Sequence, residues 1–508
     1  MAIVVSHIAS DFDTLAKRAL RQAPLADLIE LRLDRIGNPG EERLAEFVRE
    51  CPKPIIVTLH GPELYGDFAG TVDERLEILH SAARAGVKFV DVDYRLSLEL
   101  GEVAGRCHRI VSRHETEGTP DSIEELAAMH EEIRAVLYEG DVTKFVTHAN
   151  RCEDGLLMLQ YLRSEPGLIA FCTGEAGSFT RALAPIIGSA FTYCAPAIIP
   201  GEPEPEVTAP GQLRVSDLLA LFPPGGVSPE TSIFAVIGSP ISGSWSPRLQ
   251  GMSLKAAGLD AIYLALEPSN FETFLGRAND ENFRGFSVTA PFKNEAFAAS
   301  KQRDGASEEA GTCNTLLREG DHWNAANTDV PAIRETLRCA LQLNEYTGPD
   351  DLATAKALVL GTGGAARAAL LAVGGFGGMP TVAGRDPAKA AQLAADLTCD
   401  WISWEETESF AYDILIHCTP VGTLADKDAS PIPDSWLRSG AIVLDAVYRP
   451  LRTPLLMAAK SRGCAAIPGG EWFVRQAEAQ YRLFTRKDPD QELIRATFDQ
   501  ALREEDSK

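Results

Sequence analysis

Residues 356–373 read KALVLGTGGAARAALLAV. An aliphatic run ends in Gly361-Thr362-Gly363-Gly364 and passes directly into an alanine-rich stretch, which predicts a strand, a tight glycine turn and a helix. Glycines at such a turn let the backbone approach a pyrophosphate closely, and the N–H groups that open the helix present the positive end of its dipole to that charge. A glycine motif alone is weak evidence, but this one is flanked on both sides by the elements it requires. About 20 residues on, VAGRDPAKA (382–390) ends the next strand, where the ribose of a dinucleotide would lie. Arg385 is placed to meet a 2′-phosphate and Lys389 adds charge one turn later, which favours NADP; Asp386 by itself would have suggested NAD. Gly361, Gly363, Gly364, Ala365, Arg385 and Lys389 are the candidate cofactor-binding residues.

Upstream, FPPGGVSPETS (Phe222–Ser232) concentrates proline, glycine and serine and reads as an open interdomain linker. On its far side short apolar runs alternate with amphipathic helical stretches. Eight strand candidates precede it: AIVVSHI, DLIELRL, PIIVTLH, KFVDVDY, RIVSRHE, VTKFVTH, LIAFCTG and the run beginning SAFTYCA. Eight βα units are what a (β/α)8 barrel requires, and polar residues gather at the strand C-terminal ends where such barrels carry their sites. A doubly wound open sheet is the alternative that the count disfavours. Downstream, the tail from Leu455 to Lys508 reads as helical.

Length and composition agree with this division. A chain of 508 residues is long enough for about three folding units, and 45% hydrophobic with 24% charged residues is ordinary for a soluble protein. The formal net charge of −24 argues against nucleic acid as a partner. It also means that a site for an anionic substrate must gather its own local cations. The ten cysteines lack a paired C-x-x-C spacing, so neither zinc nor disulfides are indicated. The first residues, MAIVVSHIAS, lack a basic n-region, and no apolar run is long enough to span a bilayer; a cytoplasmic monomer with no membrane partner is the expectation.

Five barrel strands end in candidate chemistry: Glu30 and Arg32, His60, Asp91 and Asp93, His114, and Lys144. Within VTKFVTH, Lys144 is expected to point into the barrel mouth with its ammonium desolvated, in a range where the amine is nucleophilic. An outward, snorkelling lysine is the bland alternative. His114 suits a general base, and Arg32 and Arg181 can grip a carboxylate bidentately.

The ordered set E-L-R (Glu30 to Arg32), S-x-H (Ser112 to His114), D-x-x-K (Asp141 to Lys144), G-x-x-x-R (Gly177 to Arg181), G-S-A-F-T and A-P-G-Q (Ala209 to Gln212) resembles type I 3-dehydroquinate dehydratase over Met1 to about Phe222. The resemblance implies that Lys144 forms a Schiff base with the C3 carbonyl of 3-dehydroquinate. His114 would move the proton from C2 to the departing C1 hydroxyl. It also implies that Arg181 holds the carboxylate and Gln212 the ring hydroxyls, with Glu30, Arg32, His60 and Thr208 lining the substrate. The sequence departs from the family at His60 (usually Arg), Asp93 (Glu) and Thr208 (Ser). Loss of the arginine predicts weaker substrate binding unless His60 is protonated or another residue substitutes.

Beyond the linker, G-S-P-I-S-G-S-W-S-P (Gly238 to Pro247), F-S-V-T-A-P-F-K (Phe286 to Lys293), G-T-C-N-T-L (Gly311 to Leu316), N-T-D (Asn327 to Asp329), D-A-V-Y-R-P-L-R-T-P-L (Asp445 to Leu455) and G-G-E-W-F-V-R-Q (Gly469 to Gln476) together resemble shikimate dehydrogenase. Lys293 and Asp329 are implied as the catalytic pair, with Ser244, Ser246, Thr289, Asn314, Tyr448 and Gln476 around the substrate and Thr419 and Gly469 toward NADP. Departures fall at Gly243 (usually His), Ser287 (Asn), Gly384 (Asn), His417 (Asn) and Trp472 (Met); Gly384 and His417 are expected on the cofactor side.

The implied organisation is a TIM barrel over 1–222, a linker over 223–232, a substrate-binding lobe over 233–348, a Rossmann NADP-binding lobe over 349–454 and C-terminal helices over 455–508. The implied function is dehydration of 3-dehydroquinate followed by NADPH-dependent reduction of 3-dehydroshikimate. Two rivals remain: a dehydrogenase with a degenerate regulatory barrel, and a quinate-type dehydrogenase using NAD.

Overall fold

The computed structural model describes residues 2–506. Its contacts divide the chain into two compact units, Met1–Ile233 with Gly258–Phe283, and Phe234–Ala257 with Arg284–Lys508.

In the first unit all eight expected strands form: β1 (Ala2–Ile8), β2 (Leu28–Arg32), β3 (Ile55–Thr58), β4 (Phe89–Asp93), β5 (His108–His114), β6 (Val142–His148), β7 (Ile169–Thr173) and β8 (Phe191–Cys194). They run in the order β7–β6–β5–β4–β3–β2–β1–β8, with parallel ladders from β1 to both β2 and β8, and make a TIM barrel. Side chains alternate along a strand, so one inward position predicts the next two residues on. Val4, Leu28, Ile56, Phe89, Ile110 and Val146 fill the interior with Phe171 and Tyr193. Two residues further toward each C-terminal end, the inward positions of β1 to β5 become Ser6, Glu30, Thr58, Asp91 and Ser112, all buried. The change from apolar to polar at one height is what turns the packed core into a mouth.

Below the mouth, Arg109 is 2% exposed and donates through Nε to Asp141 Oδ1 at 3.0 Å and through Nη1 to the carbonyls of Ser97 and Gly101 at 2.8 and 2.9 Å. Its guanidinium also lies over the Tyr138 ring, 4.2 Å from the centroid. The aspartate of the D-x-x-K motif thus secures the strand that carries Lys144 and lies outside the mouth.

β9 (Ser232–Ile237) begins where the first stretch of this unit ends, and the segment Gly258–Phe283 holds β10 (Ala261–Leu266) and a helix, Phe271–Arg277. Glu153, 1% exposed, accepts from the backbone N–H groups of Ser269 and Asn270 at 2.8 Å each and from Ser269 Oγ at 3.0 Å, and Arg163 pairs with Asp280 at 2.7 Å. The stretch expected as an open linker is tied down at its end: Thr231 donates to Asp260 at 2.5 Å, and Asn282 Nδ2 donates to the carbonyls of Pro229 and Thr231 at 2.8 and 2.9 Å.

The second unit holds two sheets. In one, β11 (Phe283–Val288) pairs antiparallel with β13 (Thr315–Glu319), which forms a hairpin with β14 (His322–Ala326); β12 (Gln302–Arg303) lies parallel to β14. The other is parallel throughout, in the order β17–β16–β15–β18–β19–β20, from β15 (Lys356–Leu360), β16 (Met379–Ala383), β17 (Asp400–Ile402), β18 (Ile414–His417), β19 (Ile442–Asp445) and β20 (Ala465–Ile467). This is the Rossmann order 3-2-1-4-5-6, whose crevice opens where the order reverses, between β15 and β18. The helix after β15, Gly364–Gly374, presents Ala366, Ala369, Leu370 and Val373 to the core, small residues that allow it to lie close on the sheet. The tail expected to be helical contains β20 as well. Its three residues, Ala-Ala-Ile, are too short to register as a strand until β19 supplies the ladder.

Removing the Asp141 carboxylate leaves a buried guanidinium without its counter-charge. Asp141→Ala is expected to cost ~3–5 kcal/mol, read as a lower midpoint for the first unit in urea unfolding followed by circular dichroism.

Candidate active sites

In the barrel, Glu30, Arg32, His60, His114, Lys144, Arg181, Thr208 and Gln212 all line one cavity of about 40 Å³. The residues that the sequence singled out are therefore brought together. Lys144 is 4% exposed, and its Nζ donates to Asp91 Oδ2 at 2.8 Å, while Ser112 Oγ donates to Asp91 Oδ1 at 2.6 Å. The ammonium also lies 4.3 Å from the centroid of the Tyr193 ring. Beyond the desolvation expected of it, Lys144 has a carboxylate partner and an aromatic floor.

The other charges are already engaged. Glu30 accepts from Ser6 and, at 2.8 Å, from Thr58 Oγ1. Arg32 forms a buried pair with Asp34 at 2.5 Å and donates to the carbonyls of Thr208 and Tyr65 at 3.1 and 3.3 Å. Its guanidinium thus braces the loops over the mouth. Gln212 Oε1 accepts from Thr208 N and Oγ1 at 2.9 and 3.0 Å.

Arg181 differs. It is 1% exposed, donates from Nη1 to the Tyr193 carbonyl at 3.1 Å, and stacks over Phe171. Among the described residues nothing bonds Arg181 Nε, the Tyr193 hydroxyl or His114 Nδ1. Burial pulls the Arg181 guanidinium down to about 10, as expected of a desolvated cation that lacks a carboxylate. An anion entering this cavity would meet that cation.

His60 and His114 pack edge to face, with centroids 5.0 Å apart. Burial first, then the Arg32 guanidinium and the nearby Lys144 ammonium, hold His60 well below the ordinary histidine range. Burial and then Lys144 do the same to His114. The expectation that a protonated His60 could stand in for the arginine is thereby corrected: a second buried cation between Arg32 and Lys144 is unfavourable, and the ring stays neutral. Tyr65, at φ 60°, closes the mouth, its hydroxyl donating to the Thr116 carbonyl at 3.0 Å.

In the second unit, Ser244, Ser246, Thr289, Lys293, Asn314, Asp329, Tyr448 and Gln476 line a cavity of about 310 Å³ with Ala365, Gly469 and Trp472. Lys293 Nζ donates to Asp329 Oδ2 at 2.5 Å. Lys293 opens one helix (Lys293–Ala299) and Asp329 another (Asp329–Ala340), so two turns deliver the pair. Asn314 is held in place by Thr328, donating to its Oγ1 at 2.9 Å and accepting from its N at 2.9 Å. Tyr448 stacks on Phe473 at 4.2 Å, and Gln476 Nε2 donates to the Phe473 carbonyl at 3.0 Å. Gln480, unmarked in the sequence, accepts from Ser287 at 2.7 Å and donates to the Asn314 carbonyl at 2.9 Å.

A neighbouring cavity of about 370 Å³ is lined by Gly361, Gly363, Gly384, Arg385, Lys389 and Thr419. Gly361 has φ +122°, and a Cβ there would meet the Cys418 carbonyl oxygen at 2.8 Å; only glycine brings the turn this near β18. A Cβ on Gly364 would meet Lys293 Cδ at 3.0 Å, and one on Gly469 the carbonyl oxygens of Asp445 and Val447 at 2.6 Å. Asp386 spends its Oδ1 capping the next helix, accepting from Ala388 N at 3.0 Å, while Arg385 is exposed toward the cavity. This glycine cradle, helix N-terminus and exposed cation fit a dinucleotide bearing an additional phosphate. His417 does not face the cofactor cavity, contrary to expectation. It is fully buried beneath it, with Nδ1 2.9 Å from Asp445 Oδ1 and Nε2 2.6 Å from Thr419 Oγ1.

A lysine-centred barrel on one chain with a two-lobed dinucleotide-binding unit defines a two-headed enzyme, part carbonyl chemistry and part oxidoreductase. Residues 3–223 match type I 3-dehydroquinase and residues 236–316 match the shikimate dehydrogenase substrate binding domain. A chloroplastic bifunctional 3-dehydroquinate dehydratase/shikimate dehydrogenase of Arabidopsis thaliana is 29% identical over 92% of this chain and 79% of its own. A shikimate dehydrogenase (NADP(+)) of Syntrophobacter fumaroxidans is 33% identical over 55% of this chain and 96% of its own. A crystal structure of shikimate 5-dehydrogenase from Thermus thermophilus, in complex with NADP(H) and shikimate, is 31% identical with a TM-score of 0.48, covering 53% of this chain and all of that one (100%). The chain belongs to the bifunctional type I 3-dehydroquinate dehydratase/shikimate dehydrogenase family.

His60 and His114 resist protonation when folded but take a proton near pH 6.5 when unfolded. Buried His7, which burial takes down to about 3, behaves alike. The unfolded chain therefore binds more protons below pH 6.5, and stability falls as pH falls, by ~1.4 kcal/mol per pH unit for each such histidine. The urea midpoint of the first unit is expected to drop steeply between pH 6.5 and 5.

Proposed function

We propose that the two units catalyse consecutive steps, dehydration of 3-dehydroquinate by the barrel and NADPH-dependent reduction of the resulting 3-dehydroshikimate by the second unit. The observation that carries the reading is Lys144, buried and paired with Asp91 in a cavity that also holds a neutral His114 and an unmatched Arg181.

For the dehydratase, Asp91 Oδ2 is placed to accept the proton that Lys144 must release before its amine attacks the C3 carbonyl. Loss of that oxygen as water leaves a protonated imine on Lys144, which acidifies the C2 hydrogens. Neutral His114 takes one of them and returns it to the C1 hydroxyl, which leaves as water. Hydrolysis then frees Lys144 and releases 3-dehydroshikimate. Arg181 meets the carboxylate, and the Tyr193 hydroxyl is a further donor at the cavity wall.

For the reductase, Gly361, Gly363, Gly364, Arg385 and Lys389 would hold NADPH, whose chemistry there would be hydride donation to the carbonyl carbon. Lys293 holds a proton at Nζ beside Asp329 and delivers it to the carbonyl oxygen. Ser244, Ser246, Thr289, Asn314, Tyr448 and Gln476 orient the ring. Asp386 engaged in helix capping and Arg385 free to meet a phosphate support NADP over the NAD-dependent quinate reading. Among the described residues no helix is long and apolar enough to cross a membrane. A cytoplasmic monomer is part of the proposal, supported by a net charge of −24 that keeps copies apart.

A coupled assay from 3-dehydroquinate and NADPH tests both halves. Lys144→Ala is expected to abolish dehydration and borohydride trapping while leaving shikimate oxidation intact, and Lys293→Ala the converse. A Lys144→Ala chain that still dehydrates would leave the barrel chemistry without its nucleophile. Arg385→Ala is expected to raise KM for NADPH about tenfold, on the scale of one charged hydrogen bond, with KM for NADH unchanged.

A further inference from the structure

The position of Trp472 is occupied by methionine in the family this chain resembles, and here it meets the proposed acid pair directly. Its indole Nε1 donates to Asp329 Oδ1 at 3.1 Å, while Lys293 Nζ holds Oδ2 at 2.5 Å. Trp472 is 6% exposed and lines the same cavity as both partners. Its helix, Gly469–Thr485, begins at a glycine pair: a Cβ on Gly469 would strike the carbonyl oxygens of Asp445 and Val447, and one on Gly470 the Phe498 ring at 2.5 Å. The helix start is thereby fixed, and with it the direction of the indole.

We propose that Trp472 is a positioning residue for the reductase, holding one oxygen of Asp329 so that the other stays aimed at Lys293. Two donors at opposite oxygens leave the carboxylate one rotamer, and a hydrogen bond to the ionised form favours that form over the neutral acid. A methionine thioether has no N–H to give. Among the described residues, Lys293 contacts Asp329 across the cavity and Cys418 lies near from the end of β18, with burial pushing its thiol up. The indole is therefore the neutral donor that sets which oxygen Lys293 uses.

The inference rests on Lys293 and Asp329 being the working pair, and the experiment separates the two ideas. The pH profile of kcat/KM for 3-dehydroshikimate reduction is measured for the unmutated full-length chain, Trp472→Phe, Trp472→Met and Lys293→Ala, with the dehydratase activity of the same preparations as a check on folding. Both Trp472 variants are expected to move the acid limb up by about one pH unit and to lower kcat more than they change KM. An acid limb that stays put in both variants, with Lys293→Ala inactive, overturns the role of Trp472 and leaves the pair standing. A reductase that survives Lys293→Ala overturns the pair itself. The unmutated chain gives a readout that no folding failure touches: of its six tryptophans, one indole N–H resonance in a 15N-labelled sample should shift with pH in step with the acid limb. If none titrates there, the proposal fails.

Discussion

A buried ammonium must be met by a carboxylate, and the barrel is arranged around that requirement. Lys144 is 4% exposed and Asp91 1%; their 2.8 Å contact removes a charge that the barrel interior could not otherwise carry. Asp91 in turn takes a hydrogen bond from Ser112, so three strands, β4, β5 and β6, are locked at one height by a single polar cluster. The second unit has a similar pair in the half-buried Lys293 and Asp329, placed at the starts of two helices rather than on neighbouring strands. Charge pairing inside a dry site is costly to assemble and destructive to break, which makes it suited to chemistry and poor as a mere staple.

Around the first pair the charge balance is deliberately incomplete. Arg32 is answered by Asp34 and Arg109 by Asp141, but Arg181 has only carbonyl and aromatic contacts. Of the buried cations among the described residues, the one without a carboxylate lines the cavity. Replacement of the family arginine by His60 fits this balance: the neutral ring packs on His114 where another cation would face Arg32 and Lys144. In the second unit the departures are also absorbed locally. Trp472 takes up a carboxylate oxygen, and His417 spends both ring nitrogens on Asp445 and Thr419 beneath the cofactor cavity.

Much of this was legible beforehand. Short apolar runs alternating with helical stretches predicted all eight barrel strands, and the glycine turn at 361–364 predicted the Rossmann start, because both patterns are local in the sequence. Lys144, His114 and Arg181 could be nominated because a charged residue amid aliphatic strand or helix neighbours is itself a signal. Asp91 carried the same signal, two residues after Phe89 on the inward face, yet its partnership with Lys144 spans 53 positions and no spacing rule reaches so far.

By itself the sequence determined the order of the barrel strands, the glycine-dependent turn at 361–364 and the residue types available for chemistry, since each follows from interactions within a few residues. Only the tertiary structure decided which charges are paired, that His60 is neutral, that Asp141 serves the base of β6 and not its mouth, that His417 lies below the cofactor cavity, and that Gly258–Phe283 makes its contacts with the barrel unit. Those outcomes depend on burial and on partners distant in sequence, and desolvation is a property of the assembled fold that no single residue carries.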